Sequence, residues 1–497
     1  MSSPSGAHAE APAGAHAPAH DPHHARRWLV LAVIGIAQLM VVLDATIVNI
    51  ALPSAQADLG FSDASRQWVV TAYALAFGGL LLLGGRLSDL FGRKWTFIAG
   101  LVGFSVASAI GGSAPSFEVL VAARALQGAF AAILAPAALS ILTTTFTDPD
   151  ERGRAFAIFG AISGGGAAIG LLLGGILTEY LSWRWCLYVN LVFALPAAAV
   201  SVRLISNVAH AAHAELDIPG TLLGCGGLFA LVYGFARAET DGWGASVTIA
   251  FLATGVILLV LFRIWLGRAS HPLVPPRVID DRNRGGSLIT ILMAGLGIFG
   301  VFLFLTYFLQ QNLGFSPVQS GLAFLPMVVM IVTFSLLGQR LLLPAFGPRI
   351  PIVAGMLLAT AGMLYLSRLD TGSTYASGVL PSLLVLGAGF GMIFSTAINT
   401  ATLGVVPEDA GVASALVNTC QQVGGAAGTA LLSTIAITAT TNFLADGSGG
   451  PDAAAIHGYT VAFQFSAAIF LAGAVIGGLM LRGGRLDPGD GVPAGVH

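Results

Sequence analysis

Runs of roughly 20 mostly apolar residues, the length that crosses a hydrocarbon core of about 30 Å, recur along this chain with short polar breaks between them. They fall near 28–53, 66–86, 95–114, 118–142, 154–178, 184–204, 218–237, 244–266, 287–310, 317–343, 349–367, 375–404, 411–438 and 460–481. Lipid offers no partner to a backbone N–H or C=O, so each run must satisfy its own, and a helix does that within one segment. The fourteen runs therefore predict an all-α polytopic membrane protein. Charge agrees: Asp, Glu, Lys and Arg make up 9% of the 497 residues and mean hydropathy is +0.84, whereas a soluble domain carries roughly 25% charged residues.

Orientation follows from the basic residues. With the N-terminus in the cytoplasm, Arg26, Arg27, Arg86, Arg93, Lys94, Arg152, Arg154, Arg203, Arg263, Arg268, Arg277, Arg282, Arg284, Arg340, Arg349, Arg482 and Arg485 all fall inside. Only Arg66, Arg184, Arg237 and Arg368 fall outside. This bias predicts an even number of spans, both termini cytoplasmic and, for a bacterial-type chain, the inner membrane. All seven tryptophans lie at span ends, where interfacial anchors belong. Residues 1–27, rich in Ala, Pro and His without an apolar core, read as a disordered cytoplasmic tail and not as a signal peptide. Its five histidines leave open a metal-binding tail or a solvated low-complexity one. Cys186, Cys225 and Cys420 show no disulfide or metal spacing, and a net charge of −2 gives no sign of nucleic-acid binding.

The two ends of the chain resemble each other. Gly84–Lys94, GGRLSDLFGRK, is echoed 254 positions later by GQRLLLPAFGPR from Gly338. Gly153–Gly170 is echoed 258 positions later by Gly411–Gly428. Two echoes at nearly one offset predict a duplicated six-helix unit. The expected organisation is an N-terminal bundle over 28–206, two inserted transmembrane helices with cytoplasmic linkers over 207–286, a C-terminal bundle over 287–482, and a tail over 483–497.

Charges inside the runs are rare and costly, so they mark function or a specific partner. Asp44, in LDATIVNIALP, is the one carboxylate well inside a run; Arg124, in ARALQG, is the one deep cation. Arg124 stays protonated and can stabilise a neighbouring carboxylate's charge. The alternatives are an Asp held for packing specificity and an Arg that snorkels to the interface. In the loop after the second run, Gly85 and Gly92 allow a tight turn, while Asp89 and Arg93 can pair with each other or with a helix end, locking one arrangement of two halves. In the fifth run, Gly160, Gly164, Gly165, Gly166, Gly170, Gly174 and Gly175 place small residues at four-residue spacings, which suits close crossing, static or sliding. Polar residues that could line a cavity are Gln38, Asn49, Gln127, Asn190, Gln310, Asn399, Asn418, Gln421 and Gln422; each could instead be an interhelical hydrogen bond. Apolar lining around them suits an amphipathic or apolar ligand. No P-loop, GxSxG or HExxH occurs, so neither an enzyme nor a primary pump is indicated.

These motifs together resemble the major facilitator superfamily, in its fourteen-span drug:proton antiporter branch. LDATIVNIALP is similar to that branch's first-span signature, GGRLSDLFGRK to the loop 2–3 motif and RALQG to the fourth-span motif. GAAIGLLLGGIL is similar to the antiporter motif, WRWCLYVN to the start of the sixth span and LDIPG to the segment before the seventh. The resemblance covers about residues 28–485. It implies two six-helix bundles around a central cavity, alternating access and proton-driven export without a cofactor. By position it implies proton coupling at Asp44 and Arg124, a conformational gate at Gly85, Asp89, Gly92 and Arg93, and an antiporter-motif helix at Gly166, Gly170, Gly174 and Gly175. Leu171 and Val192 stand where the family usually has helix-kinking prolines.

The expected function is a proton-coupled exporter, working as a monomer in the lipid bilayer, of small hydrophobic or amphipathic compounds. The rivals are a dedicated exporter of one metabolite or antibiotic, and a non-transporting receptor or scaffold on the same fold.

Overall fold

The structure, a computed structural model, describes residues 22–61, 63–206, 216–447 and 449–484. Among these, thirteen helices are long and apolar enough to cross a membrane, and a shorter apolar stretch, Ile169–Tyr180, lies within a further long helix. The first six helices are α1 (Pro22–Leu59), α2 (Asp63–Phe91), α3 (Arg93–Gly112), α4 (Phe117–Thr145), α5 (Pro149–Tyr180) and α6 (Trp185–Leu204). They pack as one bundle. Then come α7 (Ile218–Asp241), α8 (Ser246–Leu266) and a one-turn α9 (Pro276–Ile279). The second bundle holds α10 (Arg282–Tyr307), α11 (Pro317–Ala323), α12 (Leu325–Leu337), α13 (Leu343–Phe346), α14 (Arg349–Leu366), α15 (Leu380–Thr402), α16 (Ala410–Ala445) and α17 (Pro451–Met480).

Local chemistry sets these boundaries. Asp148 caps α5, its carboxylate accepting from Asp150 N and Glu151 N, with Pro149 at the first helical position. Prolines segment the tenth run: Pro317, Pro326 and Pro344 each open a new piece, and a π-helical turn, Gly338–Leu342, separates α12 from α13. Helix α1 begins at Pro22, so residues 22–27, expected in the tail, form its first turns; residues 1–21 and 485–497 lie outside the described residues. Other helices outrun their sequence estimates too, among them α16, which extends to Ala445, and α17, which starts at Pro451.

The two bundles share backbone detail. Gly92, before α3, has φ 87° and Gly347, before α14, has φ 72°, the left-handed turn that Gly tolerates without strain. Helix α5 crosses α1 through Gly166, Gly170 and Gly174, where an added Cβ would meet Val42, Thr46 and Ile47. Helix α16 crosses α10 through Gly424 and Gly428 against Leu292 and Leu296. Each half thus uses the same glycine row against its own first helix.

The halves meet along two seams, α2 against α16 and α5 against α11, α12 and α15. The inserted helix α7 lies against both α2 and α16, with α8 packed outside it. Val232 and Phe229 of α7 fill the notches at Gly78 and Gly79 of α2. Buried Asp217 holds the insertion together by accepting from Gly220 N at 2.9 Å, Trp265 Nε1 at 2.9 Å and Leu273 N at 3.0 Å. On the far side of the pair, α8 turns Ile249, Val256, Ile257 and Val260 outward, as a lipid-facing helix does.

Candidate functional site

Asp44 of α1 is fully buried within the first bundle. Its Oδ2 lies 2.6 Å from Arg124 Nη1, and its Oδ1 accepts from Gln127 Nε2 at 3.0 Å and Asn190 Nδ2 at 2.7 Å. Arg124 and Gln127, one turn apart on α4, also bond to each other, Nη1 to Oε1 at 2.9 Å. Arg124 Nε donates to Val69 O at 3.2 Å, and its guanidinium sits 4.5 Å from the centre of the Tyr73 ring. Ser108 of α3 accepts from Gln127 at 2.7 Å and from Asn190 at 3.3 Å. Five helices, α1, α2, α3, α4 and α6, therefore converge on one carboxylate. An ion pair so deep survives because further hydrogen bonds complete both partners. Two atoms at its edge, Tyr73 Oη and Asn190 Oδ1, are buried without a hydrogen-bond partner among the described residues. Loss of the Asp44 charge would give Asn190 something else to hold, so the cluster has a second arrangement within reach.

This placement revises the reading of two residues. Gln127 and Asn190, expected to line a cavity, are Asp44's own ligands and are buried inside the first bundle. Ser108 and Tyr73 were missed. Tyr73 was the traceable one, a lone phenol in an apolar run.

A second cluster lies at the face that carries Arg86, Arg93, Lys94 and Arg277, the basic face. Helix α16 begins there after a 3₁₀ turn, Pro407–Asp409. Its N-cap, Asp409, makes no capping bond because Arg277 grips that carboxylate through Nε at 2.6 Å and Nη2 at 3.2 Å. The free N–H groups of the first turn are satisfied from the other half instead. Asp89 accepts from Gly411 N at 3.0 Å and Val412 N at 3.2 Å, placing negative charge on the helix's positive end. Arg93 donates to Pro407 O. Gly85 lets the two helices touch, since a Cβ there would lie 2.6 Å from Gly411 O. The α2 seam is closed on the basic face.

The remaining candidates scatter. Gln38 donates to Ser163 Oγ at 3.3 Å across α1 and α5, and its Oε1 is unpartnered. Asn399 is buried, accepting from Arg152 at 2.9 Å and donating to Gln339 at 2.9 Å. Asn418 bonds to Ser414 O of its own helix. Gln310, Gln421 and Gln422 are half-buried. Gly175 is buried in α5, and the side chain of Asn49 lies outside the described residues. Near the site of the expected sixth-span proline, Pro196 stands inside α6, one turn beyond Val192.

The Major Facilitator Superfamily profile matches residues 34–429. The puromycin resistance protein pur8 of Streptomyces alboniger is 53% identical over 462 residues, covering 92% of both chains. The cephamycin export protein CmcT of Amycolatopsis lactamdurans is 40% identical, covering 88% of this chain and 90% of its own. The tetracenomycin C resistance and export protein of Streptomyces glaucescens is 35% identical, covering 83% and 77%. Among solved structures, the human organic anion transporter MFSD10 (TETRAN) matches with a TM-score of 0.61 over 92% of this chain and 100% of its own. At 16% identity that match speaks to the fold alone.

Proposed function

The chain belongs to the Major Facilitator Superfamily, and from that premise we propose that it exports small hydrophobic or amphipathic compounds across the cytoplasmic membrane in exchange for protons. It is a transporter and not an enzyme, as its relatives are. Export as the direction rests on relatives that carry export and resistance in their names. Orientation with both termini inside rests on the Lys and Arg distribution. We place a monomer in the bilayer, with one proton site in the first bundle.

The observation that carries proton coupling is Asp44 bound to Arg124 where neither is solvated. A proton arriving from the outer face would cancel the carboxylate's charge, so Arg124 would lose its ion pair with Asp44. α1 and α4 would then lose the ion pair between them, and α1 would shift along the glycine row of α5. The halves would exchange a gate closed by Asp89 and Arg93 for one open on the basic face. A released proton would restore the pair.

The test uses inverted membrane vesicles with an imposed pH gradient and puromycin as the first substrate. Puromycin is expected to dissipate the gradient in the wild type and not in Asp44→Asn. Uphill puromycin transport by Asp44→Asn at the wild-type rate would overturn the assignment. A second reading, a dedicated exporter of one antibiotic, is supported by the three relatives named above, whose names each carry one antibiotic or antibiotic class. It predicts that puromycin, a cephamycin and tetracenomycin C differ sharply in the same assay. A receptor or scaffold predicts no flux of any of them.

A further inference from the structure

By sequence Arg152 is one more of the basic residues that fall on the cytoplasmic side. In the fold it is buried in the second seam, opposite the one that Asp89 closes. Its Nε donates to Asn399 Oδ1 at 2.9 Å and its Nη2 to Thr402 Oγ1 at 3.0 Å, both on α15 of the other half. Its Nη1 donates to Thr143 O at 3.2 Å, and the Phe156 ring lies 4.5 Å from Cζ; these partners belong to its own half. Asn399 in turn donates to Gln339 Oε1 at 2.9 Å, and Gln339 Nε2 donates to Ser395 O at 2.7 Å. Gln339 sits in the π-helical turn Gly338–Leu342, a local rewinding of the kind that aims a side chain. One turn on, Gly160 of α5 crosses α15 so closely that a Cβ would lie 2.6 Å from Ser395 Cα.

Two features set this cluster apart. Among the described residues, no carboxylate contacts Arg152, although a buried guanidinium normally needs one. Neutral acceptors hold the charge while leaving the contact easy to break. Its partners are also divided: Thr143 O and the Phe156 ring would keep the side chain in place after Asn399 and Thr402 had left. We propose that Arg152, Asn399, Thr402 and Gln339 form a second clasp on the basic face, joining α5 to α15, and that the neutrality of its acceptors sets how readily this side opens. The inference rests on the alternating-access reading above. Arg152 acts here as a positioning residue.

The experiment uses the full chain in inverted vesicles, with Cys186, Cys225 and Cys420 changed to Ser and Ser395→Cys as reporter. An impermeant maleimide is added to each side in turn, and labelling is normalised to the unfolded protein. Arg152→Gln removes both charged hydrogen bonds to α15 and is expected to speed labelling from the basic face at least about tenfold. Asn399→Asp puts a carboxylate where the amide oxygen now lies. It is expected to slow labelling below the parent by a similar factor and to slow puromycin efflux. A merely structural role moves both variants the same way. If both move labelling in one direction, or neither moves it while the parent labels, the clasp is wrong and alternating access stands. If the parent reporter never labels from the basic face, with or without puromycin, the seam does not open and both readings fall. Should Arg152→Gln not reach the membrane, Arg152→Lys takes its place. Lys keeps the charge without the two-pronged grip and is expected to label faster than the parent by a smaller factor, a parent-like rate again overturning the clasp.

Discussion

Asp44→Asn tests how the deep cluster is held together. The new amide cannot satisfy the site in either orientation. With its oxygen toward Arg124, its NH₂ faces Gln127 Nε2 and Asn190 Nδ2, which now lie 3.0 Å and 2.7 Å from Oδ1. Asn190 can turn its unpartnered Oδ1 inward and recover one bond. Gln127 cannot, because its Oε1 already takes Arg124 Nη1. Breaking one side of a buried pair costs about 3–5 kcal/mol, and the recovered bond returns about 1 kcal/mol. The expected net loss is therefore roughly 2–4 kcal/mol. Arg124→Gln leaves the carboxylate buried beside two amides and is expected to cost about 3–5 kcal/mol. The double change removes both charges, so it should lie closer to wild type than the sum of the singles, with a coupling of at least about 2 kcal/mol. Unfolding followed by tryptophan fluorescence in one detergent ranks the four proteins. Proton-linked efflux should be lost in all three variants. A double variant whose loss equals the sum of the singles would show that the 2.6 Å contact contributes no energetic coupling, and the reasoning would fail.

Glycine contacts supply a paired prediction. Gly170→Ala places a Cβ 2.0 Å from Thr46 Oγ1 and should cost about 1–3 kcal/mol with slower efflux; adding Thr46→Ala should restore most of both. Gly84→Ala meets the backbone carbonyl of Ala132 at 2.0 Å, so no side-chain trimming at α4 should rescue it. Equal rescue of both, measured as melting temperature and efflux, would mean the crossings have slack. Asp217→Ala strips the acceptor from Gly220 N, Trp265 Nε1 and Leu273 N, and a loss of about 2 kcal/mol or more is expected, with faster proteolysis between α8 and α10 in open membranes. Unchanged cleavage would assign the insertion's stability to lipid contact alone.

Much of this was legible because a bilayer imposes one simple demand. Apolar length gave the spans, and the rarity of deep charge singled out Asp44 and Arg124. Their partners were harder. Helices that are apolar nearly all round carry no periodic signal of which face a lone amide occupies, so Gln127 and Asn190 read the same whether they met a cavity or a carboxylate. Arg152 sits just outside its run in the linear pattern. Its burial depends on Asn399, 247 positions away. The gate motif was expected to close on itself or on a helix end. What selects the helix end is Arg277, which occupies Asp409 and leaves α16 without a cap of its own.

The inserted pair has a consequence for traffic. On the α2 flank, α7 fills the notches of Gly78 and Gly79 and bridges to α16, with α8 as an outer wall. On the α5 flank, no inserted helix among the described residues packs in front of the seam with α12 and α15. The two sides of the molecule are thus unequal doors. A compound dissolved in the acyl chains meets a double wall on one side and, on the other, a single thickness of helix whose bolt is one arginine.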